Sequence, residues 1–499
     1  MFCSMKNDVA RILVAVMALF VLCLTAQAER IGLVAGDDGS PAATTRKDLK
    51  VVVFTDPHVM APELLVSEGE AWTHLLDAEI EMDEYSRDLF DVMLNRIKNE
   101  IQPDLVLITG DLTKDGEAIS HRYVKDKLDE LKAAGIPTLL ITGNHDWGTA
   151  GALYYDGATT IPAETMTMPE LATLYADYGF GSAAREETTL TYACEPFPGW
   201  VVIGLDSGRH GELSSTTLQW VCDQAKAASE SGKQVLAMMH HPLVPHFANS
   251  ELYLDEVSVQ DYATVRNALA NAGVRVVLTG HMHVSDIMKD YNDDLSQPIY
   301  DVNTGSLAAY PNDYRVITLP SDLSSIDITT HRITEITAGD GFAEVSKKKC
   351  HTVSKQLVLS EGKAYALIAN WAANAFLYHA EGDEADNANA EVTLSSFFSV
   401  GILAQSLGLI TDAELTTLSD MANSMLKDLS NYGDTDREDR TADRTLSIPM
   451  PVLPSHISLI NGDSLPHRSS PSIYTLQGIP VLHPTKGFYI NGGRKVMMK

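Results

Sequence analysis

Residues 136–146 read Ile-Pro-Thr-Leu-Leu-Ile-Thr-Gly-Asn-His-Asp, an apolar run followed at once by a cluster of polar side chains. The run is typical of a buried β-strand, so Asn144, His145 and Asp146 lie where that strand ends and a loop begins. These side chains are costly in a hydrophobic core, because each needs a buried partner. An amide oxygen can bind a cation and an imidazole can move a proton, so the stretch predicts a metal-assisted site.

Two earlier apolar runs end in the same way. Residues 49–55 lead into Asp56-Pro57-His58, and residues 104–109 lead into Gly110-Asp111. Side chains at positions i and i+2 of an extended chain point to the same side, so Asp56 and His58 can share one ion. Helical periodicity at residues 85–101 and 119–134 separates the three runs. This β-α-β-α-β order predicts a mostly parallel sheet with a site at the carboxyl ends of its strands.

Two later strands repeat the pattern. Residues 234–239 lead into His240-His241-Pro242, and residues 274–279 lead into Gly280-His281-Met282-His283. A lone His after a strand is typical of an ordinary loop, whereas five strand ends that all carry ligand side chains indicate a metal centre. The candidate ligands are Asp56, His58, Asp111, Asn144, His240, His281 and His283.

The motifs Asp-x-His, Gly-Asp, Gly-Asn-His-Asp, a His pair before Pro, and Gly-His-x-His follow one another in this order. Over residues 49–320 they resemble those of the calcineurin-like binuclear metallophosphoesterases. The resemblance implies an α/β fold of the α/β/β/α sandwich type and two divalent metal ions, for which Mn, Fe and Zn all suit the mixed ligands. It places Asp56, His58 and His283 on one metal, Asn144, His240 and His281 on the other, and Asp111 as the bridge. His240 is chosen over His241 because it directly follows the strand.

The chemistry that this resemblance implies is hydrolysis of a phosphate ester. Two divalent cations and two carboxylates leave the site positive, which attracts phosphate and lowers the pKa of a bridging water, so that hydroxide can attack phosphorus. His145 is then predicted to protonate the leaving oxygen, or to stabilise charge on the transferring group. Asp146 is predicted to orient His145.

The loop after the second strand indicates which branch of the phosphoesterases this chain resembles. Purple acid phosphatases have a Tyr where this chain has Lys114, whereas residues 110–116 look like the branch that includes cyclic-nucleotide and other small phosphodiesterases. We therefore expect a phosphodiesterase for a small phosphodiester, with cyclic nucleotides as the leading substrate. The alternatives are a phosphomonoesterase of the same fold and a non-catalytic surface binding protein on this scaffold. The full set of expected ligands favours the enzyme.

Length and net charge indicate how the chain is divided and which partners it excludes. The chain has 499 residues and a formal charge of −30, so its surface repels polyanions and a nucleic-acid polymer is not expected as a partner. The predicted segments are a signal peptide at 1–28, a linker at 29–47, the catalytic domain at 48–340, a helical domain at 351–432, a linker at 433–471 and a small β tail at 472–499.

Both ends of the chain indicate export. Lys6 and Arg11 precede an uncharged run at residues 12–24 and the small-residue site Ala26-Gln27-Ala28, which is typical of a secretory signal, with an uncleaved anchor as the alternative. No other stretch is predicted to span a membrane. Residues 472–499 resemble the C-terminal sorting modules of type IX-secreted proteins, which implies an export machinery as partner; the alternative is an ordinary hairpin. The expected location is the periplasm, the cell surface or the medium.

The acidic segment 59–86 and His246 each allow two interpretations. Residues 59–86 carry many acidic side chains, and they are predicted to form either a rim over the site or a solvated loop. His246 is predicted either to contact substrate or to be an ordinary loop residue.

Overall fold

The computed structural model describes residues 47–246, 256–337, 339, 341–360, 366, 368–382, 394–408, 410–416, 419, 443–451, 473–475, 487–491 and 494–498. The chain divides into two compact units, Met1–Pro454 and Ser455–Lys499. The predicted signal peptide, nearly all of the first linker and most of residues 411–432 lie outside the described residues.

The strands described in the first unit, in chain order, are β1 (Leu49–Phe54), β2 (Leu65–Ser67), β3 (Leu105–Thr109), β4 (Thr138–Ile141), β5 (Leu153–Asp156), β6 (Thr159–Pro162), β7 (Ala184–Arg185), β8 (Tyr192–Phe197), β9 (Trp200–Leu205), β10 (Gln234–Met239), β11 (Val276–Thr279), β12 (Asp286–Tyr291), β13 (Pro298–Asn303), β14 (Asp313–Leu319), β15 (Ser325–Arg332) and β16 (Thr445–Pro449).

The α-helices described there are α1 (Glu70–Ala78), α2 (Ser86–Arg96), α3 (Ala118–Ala133), α4 (Met168–Leu174), α5 (Ser215–Glu230), α6 (Tyr262–Asn271), α7 (Phe342–Ser360), α8 (Ala369–Glu381) and α9 (Leu394–Ser406).

The first large sheet has the strand order β16-β15-β14-β1-β3-β4. β1, β3 and β4 are parallel to one another, and β14 joins β1 in antiparallel register. Val51, Val52, Val53 and Phe54 are fully buried because this strand is covered on both faces, which explains its unbroken apolar sequence. The predicted β-α-β-α-β order is confirmed.

The second large sheet has the order β12-β13-β11-β10-β9-β8-β7, and its strands β9, β10, β11 and β13 are parallel. Apolar side chains of both sheets and of the helices around them form one continuous hydrophobic core. Sheets that pack through a shared core, with helices outside, are the α/β sandwich that the sequence predicted. The fold class is therefore confirmed.

The predicted boundaries miss some strands. Residues 445–449 lie in the predicted linker 433–471, yet they form β16, which pairs with β15 at the edge of the first sheet. The linker prediction is wrong for this stretch, because Ile448 and Leu446 fit the alternation of an edge strand despite the prolines around them. A small sheet of β2, β5 and β6 forms as well, and its strand β2 lies in the acidic segment 59–86.

The second unit holds three strands among its described residues. β17 (Ile473–Thr475), β18 (Gly487–Asn491) and β19 (Arg494–Met498) pair in antiparallel order β17-β18-β19. Across the part of the chain that the structure describes, no helix combines the length and the apolar character needed to cross a membrane.

Candidate metal centre

The seven predicted ligands lie at the carboxyl ends of β1, β3, β4, β10 and β11, where both large sheets present their strand ends to one site. Five of the seven have a positive φ: Asp56 (48°), His58 (38°), Asp111 (47°), His281 (72°) and His283 (58°). Left-handed backbone costs about 1–3 kcal/mol for such residues and is concentrated at functional sites. The chain therefore turns sharply after each strand so that the polar side chains point inward.

The first cluster consists of Asp56, His58 and His283, all buried, with ligand atoms within 4.8 Å of one another. The Nε2 atom of His283 lies 3.3 Å from Asp56 Oδ1 and 3.3 Å from His58 Nε2. On the far side of the ring, His283 Nδ1 lies 3.3 Å from Glu81 Oε1. A proton on Nδ1, the ring nitrogen that faces the Glu81 carboxylate, leaves the Nε2 lone pair facing the cluster.

The second cluster joins Asp111, His240 and His281. The amide oxygen of Asn144 lies 2.8 Å from His240 Nε2 and 3.0 Å from His281 Nδ1, so it completes the group. His240 Nδ1 donates to the carbonyl oxygen of Thr109 at 2.9 Å, which directs its Nε2 atom inward.

Asp111 lies between the two clusters. Its Oδ2 atom is 3.2 Å from His240 Nε2 and 3.7 Å from His58 Nε2. Its Oδ1 atom accepts the backbone N–H of His145 at 2.8 Å, which fixes the carboxylate. The structure thus gives Asp111 the place that a bridging ligand requires.

The donor set fits divalent cations. In the first cluster two Nε2 atoms face each other across 3.3 Å, although two imidazoles can make only one hydrogen bond there. A cation is the group that satisfies both lone pairs together with the carboxylate. The mixture of imidazole nitrogen, carboxylate oxygen and amide oxygen suits two divalent ions without deciding between Mn, Fe and Zn.

The protonation states agree with this fit. Burial lowers the pKa of His58 to about 4 and that of His281 to about 3, so both imidazoles are neutral and ready to bind a cation. Burial opposes ionisation of Asp111, but His240 and His145 outweigh it and hold the pKa of that carboxyl well below its usual range. Asp111 is therefore an anion across the physiological pH range.

His145 stands beside the first cluster with its side chain 40% exposed, and its ring centroid is 5.0 Å from that of His58. Its Nδ1 atom lies 2.9 Å from the carbonyl oxygen of Lys114 and 3.0 Å from Asp115 Oδ1. Burial disfavours the imidazolium, yet the carboxylates of Asp111 and Asp115 raise the pKa of His145 to about 10. The imidazole is thus held by Nδ1 and has a proton to give.

Asp146 does not orient His145, so the predicted role of Asp146 is wrong. Its carboxylate accepts backbone N–H groups from Gly143 at 2.8 Å, Thr113 at 3.0 Å and Leu112 at 3.1 Å. It therefore joins the loop after β4 to the loop after β3. The backbone turns Asp146 inward and away from the neighbouring imidazole, and Asp115 takes the predicted role.

Two side chains that contact site histidines were missed as site residues. Asp115 lies in the stretch 110–116 that the sequence singled out, and a carboxylate four residues after the bridging Asp was the available signal. Glu81 belongs to the acidic segment 59–86, which lies against the site at this point; no spacing in the sequence distinguishes it from the other acids.

Of the two remaining histidine candidates, His246 lies in a separate network and His241 lies beside the second cluster. His246 is buried, with Nδ1 2.7 Å from Asp286 Oδ2 and Nε2 3.1 Å from Asp301 Oδ2, so it serves a buried ion network and does not face substrate. His241 Nδ1 lies 2.8 Å from Ser207 Oγ, at the side of the second cluster.

Comparison with known proteins agrees with this geometry. Residues 49–285 match the family described as Calcineurin-like phosphoesterase. A probable cyclic nucleotide phosphodiesterase of Synechococcus sp. is 29% identical over 186 residues, which cover 36% of this chain and 58% of the relative. A cAMP/cGMP dual specificity phosphodiesterase of Mycobacterium tuberculosis is 24% identical over 190 residues, covering 37% of this chain and 50% of the relative.

A probable glycerophosphodiester phosphodiesterase of Arcobacter nitrofigilis is 26% identical over 204 residues, covering 39% of this chain and 62% of the relative. The chain thus spans between half and two thirds of the length of these three relatives. Residues 49–285, which match the family, contain all seven candidate ligands and His145. These residues, just under half of the chain, thus match the calcineurin-like phosphoesterases, and together with the ligand clusters they support a metal-dependent phosphoesterase.

Proposed function

We propose that this chain hydrolyses a small phosphodiester, with cyclic nucleotides as the leading substrate class. The observation that carries the proposal is the pairing of two ligand clusters with an imidazole whose Nδ1 atom is already held by Asp115. The three relatives above are all named as phosphodiesterases, two of them for cyclic nucleotides, which supports a diester over a monoester.

The ligand residues have a defined task in this proposal. Asp56, His58 and His283 would hold one divalent cation, Asn144, His240 and His281 the other, and Asp111 both. When bound, the cations supply Lewis acidity toward the phosphate ester and toward a water molecule. The chain itself prepares the site, because the hydrogen bond at His240 Nδ1 and the Glu81 carboxylate 3.3 Å from His283 Nδ1 favour the ring orientations that ligation needs.

His145 moves the proton in this proposal. With Nδ1 held by Asp115 and by the Lys114 carbonyl oxygen, Nε2 is the atom that can protonate a leaving alkoxide oxygen. A ribose oxygen leaves poorly without a proton, so a cyclic nucleotide gains from this group. Asp146 keeps His145 in reach by joining the loops that carry it and Asp111.

The test is a panel assay on protein reconstituted with Mn²⁺ or Zn²⁺. Bis(4-nitrophenyl) phosphate, 4-nitrophenyl phosphate and 3′,5′-cyclic AMP are compared, with chelated protein and Asp111→Asn as controls. We expect metal-dependent turnover of both diesters at a higher kcat/KM than that of the monoester. A higher kcat/KM for the monoester indicates a phosphomonoesterase, and no turnover with two metals bound indicates a binding protein.

We further propose that the protein is exported. The support is the signal-like pattern of residues 1–28, which lie outside the described residues, and the resemblance of residues 472–499 to a sorting module. The strands β17, β18 and β19 fit a small β module and are equally compatible with an ordinary terminal hairpin.

A further inference from the structure

Glu81 meets the metal centre from a segment that supplies none of the seven predicted ligands. Its Oε1 atom lies 3.3 Å from His283 Nδ1, and the two side chains are only 18% and 9% exposed. The Nε2 atom of the same ring lies 3.3 Å from Asp56 Oδ1. His283 is therefore held between two carboxylates, one at each ring nitrogen.

The backbone around Glu81 is fixed from two sides. Glu81 forms an antiparallel bridge with Ala309, and the Met82 N–H donates to the Ala308 carbonyl oxygen at 2.7 Å. From the other side, the Lys349 ammonium of α7 donates to the carbonyl oxygen of Glu81. Lys349 Nζ also lies 3.5 Å from Glu84 Oε2, so one lysine holds two points of the segment.

Helix α7 is itself anchored to the catalytic domain. Ser346 Oγ donates to Asn312 Oδ1 at 2.7 Å, and buried Cys350 packs with Tyr310 and Leu377. The Phe342 ring meets the Tyr85 ring edge to face at a centroid distance of 5.9 Å. Lys349 thus projects from a fixed helix, and that helix begins beyond residue 285, where the family match ends.

We propose that Glu81 is the positioning residue of His283, and that Lys349 holds Glu81 in place from helix α7. A carboxylate that accepts the distal N–H of a ligand His fixes its tautomer and ring orientation and makes the ligating nitrogen more basic. The C-terminal helical region is then part of the metal centre. The inference rests on the proposed function only in that the Asp56, His58 and His283 cluster holds a divalent cation.

The first experiment measures Mn²⁺ binding to metal-free full-length protein by isothermal titration calorimetry, without substrate. Glu81→Gln keeps the shape of the side chain and removes its charge, and we expect one of the two Mn²⁺ sites to lose about 10–100-fold in affinity. Glu81→Asp, which keeps the charge, should recover part of the loss. Glu63→Gln is the matched control, since Glu63 is an exposed acid of the same segment.

The second experiment tests the link to α7. Lys349→Met should weaken the same Mn²⁺ site by a smaller factor, while Lys348→Met, at the exposed neighbouring lysine, should leave it unchanged. If Lys349 acts through Glu81, the double variant Glu81→Gln/Lys349→Met binds Mn²⁺ no more weakly than Glu81→Gln alone. Equal melting temperatures of the metal-free proteins show that a loss of Mn²⁺ affinity does not come from general destabilisation. If Glu81→Gln fails to fold, the Mn²⁺ affinity of Lys349→Met provides the test.

Wild-type Mn²⁺ affinity at both sites in Glu81→Gln overturns the proposal, and so does a fully additive loss in the double variant. The outcome is distinguishable from failure of the proposed function. An inactive wild type whose Glu81→Gln variant loses Mn²⁺ affinity contradicts the phosphodiesterase proposal alone. An active wild type whose variant keeps full affinity contradicts the role of Glu81 alone.

Discussion

The Nδ1 atom of His145 lies 3.0 Å from the Oδ1 atom of Asp115, and this contact determines which imidazole nitrogen can act on a substrate. Asp115 is itself held by the buried Lys114, whose Nζ lies 2.8 Å from Asp115 Oδ2. Lys114 therefore contacts Asp115, and Asp115 contacts His145, so that a series of polar contacts connects the protein interior with the site.

His145→Ala should retain both metals and lose activity according to the leaving group. A general acid contributes about 10²–10⁴-fold when the leaving oxygen needs a proton, and little when an aryl oxide leaves without one. The measurement is the mutant to wild-type ratio of kcat/KM for an alkyl and an aryl diester, with metal content determined in parallel. Equal losses on both substrates would show that His145 stabilises the phosphoryl oxygens instead, and loss of metal would show that it is a ligand.

Asp115→Asn should give a milder form of the same pattern, about tenfold on the alkyl diester, because the imidazole loses its charged partner and can turn. Asp146→Asn should behave differently. It replaces an acceptor of three backbone N–H groups by an amide, so we expect a loss of about 2–3 kcal/mol in the free energy of unfolding. Urea unfolding, together with the loss in kcat/KM on the alkyl diester compared with that on the aryl diester, distinguishes the two variants. The same stability loss in Asp115→Asn would contradict this division of roles.

Asp111→Asn should release at least one metal and lower kcat by about two orders of magnitude or more, while the hydrophobic core and the fold persist. Metal analysis after gel filtration and circular dichroism check the two halves of this prediction. Two metals per chain together with wild-type turnover would show that Asp111 is not the shared ligand.

The buried ion network of His246 predicts a pH dependence of stability. Burial disfavours the imidazolium, but Asp301 and Asp286 raise the pKa of His246 to about 10. Since this folded-state value exceeds the unfolded one of about 6.5, the stabilisation is fully present below about pH 6.5 and is lost as the pH rises through about 10. His246→Gln should therefore cost about 3–5 kcal/mol at pH 6 and clearly less at pH 10, measured by urea unfolding. The exposed His74→Gln is the control, and a loss that does not change with pH would contradict the charged state of His246.

Deletion of residues 472–499 should leave activity in vitro unchanged, because the described strands of this tail belong to the second compact unit and not to the unit of the metal centre. Expressed in a bacterium that has a type IX secretion system, the truncated protein should accumulate in the periplasm. Cell fractionation measures this, and normal display of the truncated protein at the surface or in the medium would rule out the sorting role.

The alternation of buried strands and polar strand ends was readable from the sequence alone. A parallel strand covered on both faces must be apolar throughout, so residues 51–54 and 105–109 stand out, and the residues that follow them must lie at the same edge of a sheet. Asp56, Asp111 and Asn144 were found in this way, and the order of motifs carried the resemblance to the calcineurin-like phosphoesterases. The mostly parallel sheet followed from the same pattern, whereas the α/β/β/α sandwich was implied by the resemblance.

The contacts between side chains on different elements were decided only by the tertiary structure. Asp146 follows His145 in the chain, yet its backbone directs it to the amides of two loops, while Asp115, thirty positions earlier, reaches the imidazole. Glu81 and Lys349 are 268 residues apart and meet because α7 packs against the acidic segment. Residue order and spacing determine which groups end a strand, but the direction of a side chain after a sharp turn depends on backbone angles and packing that arise only when the elements assemble.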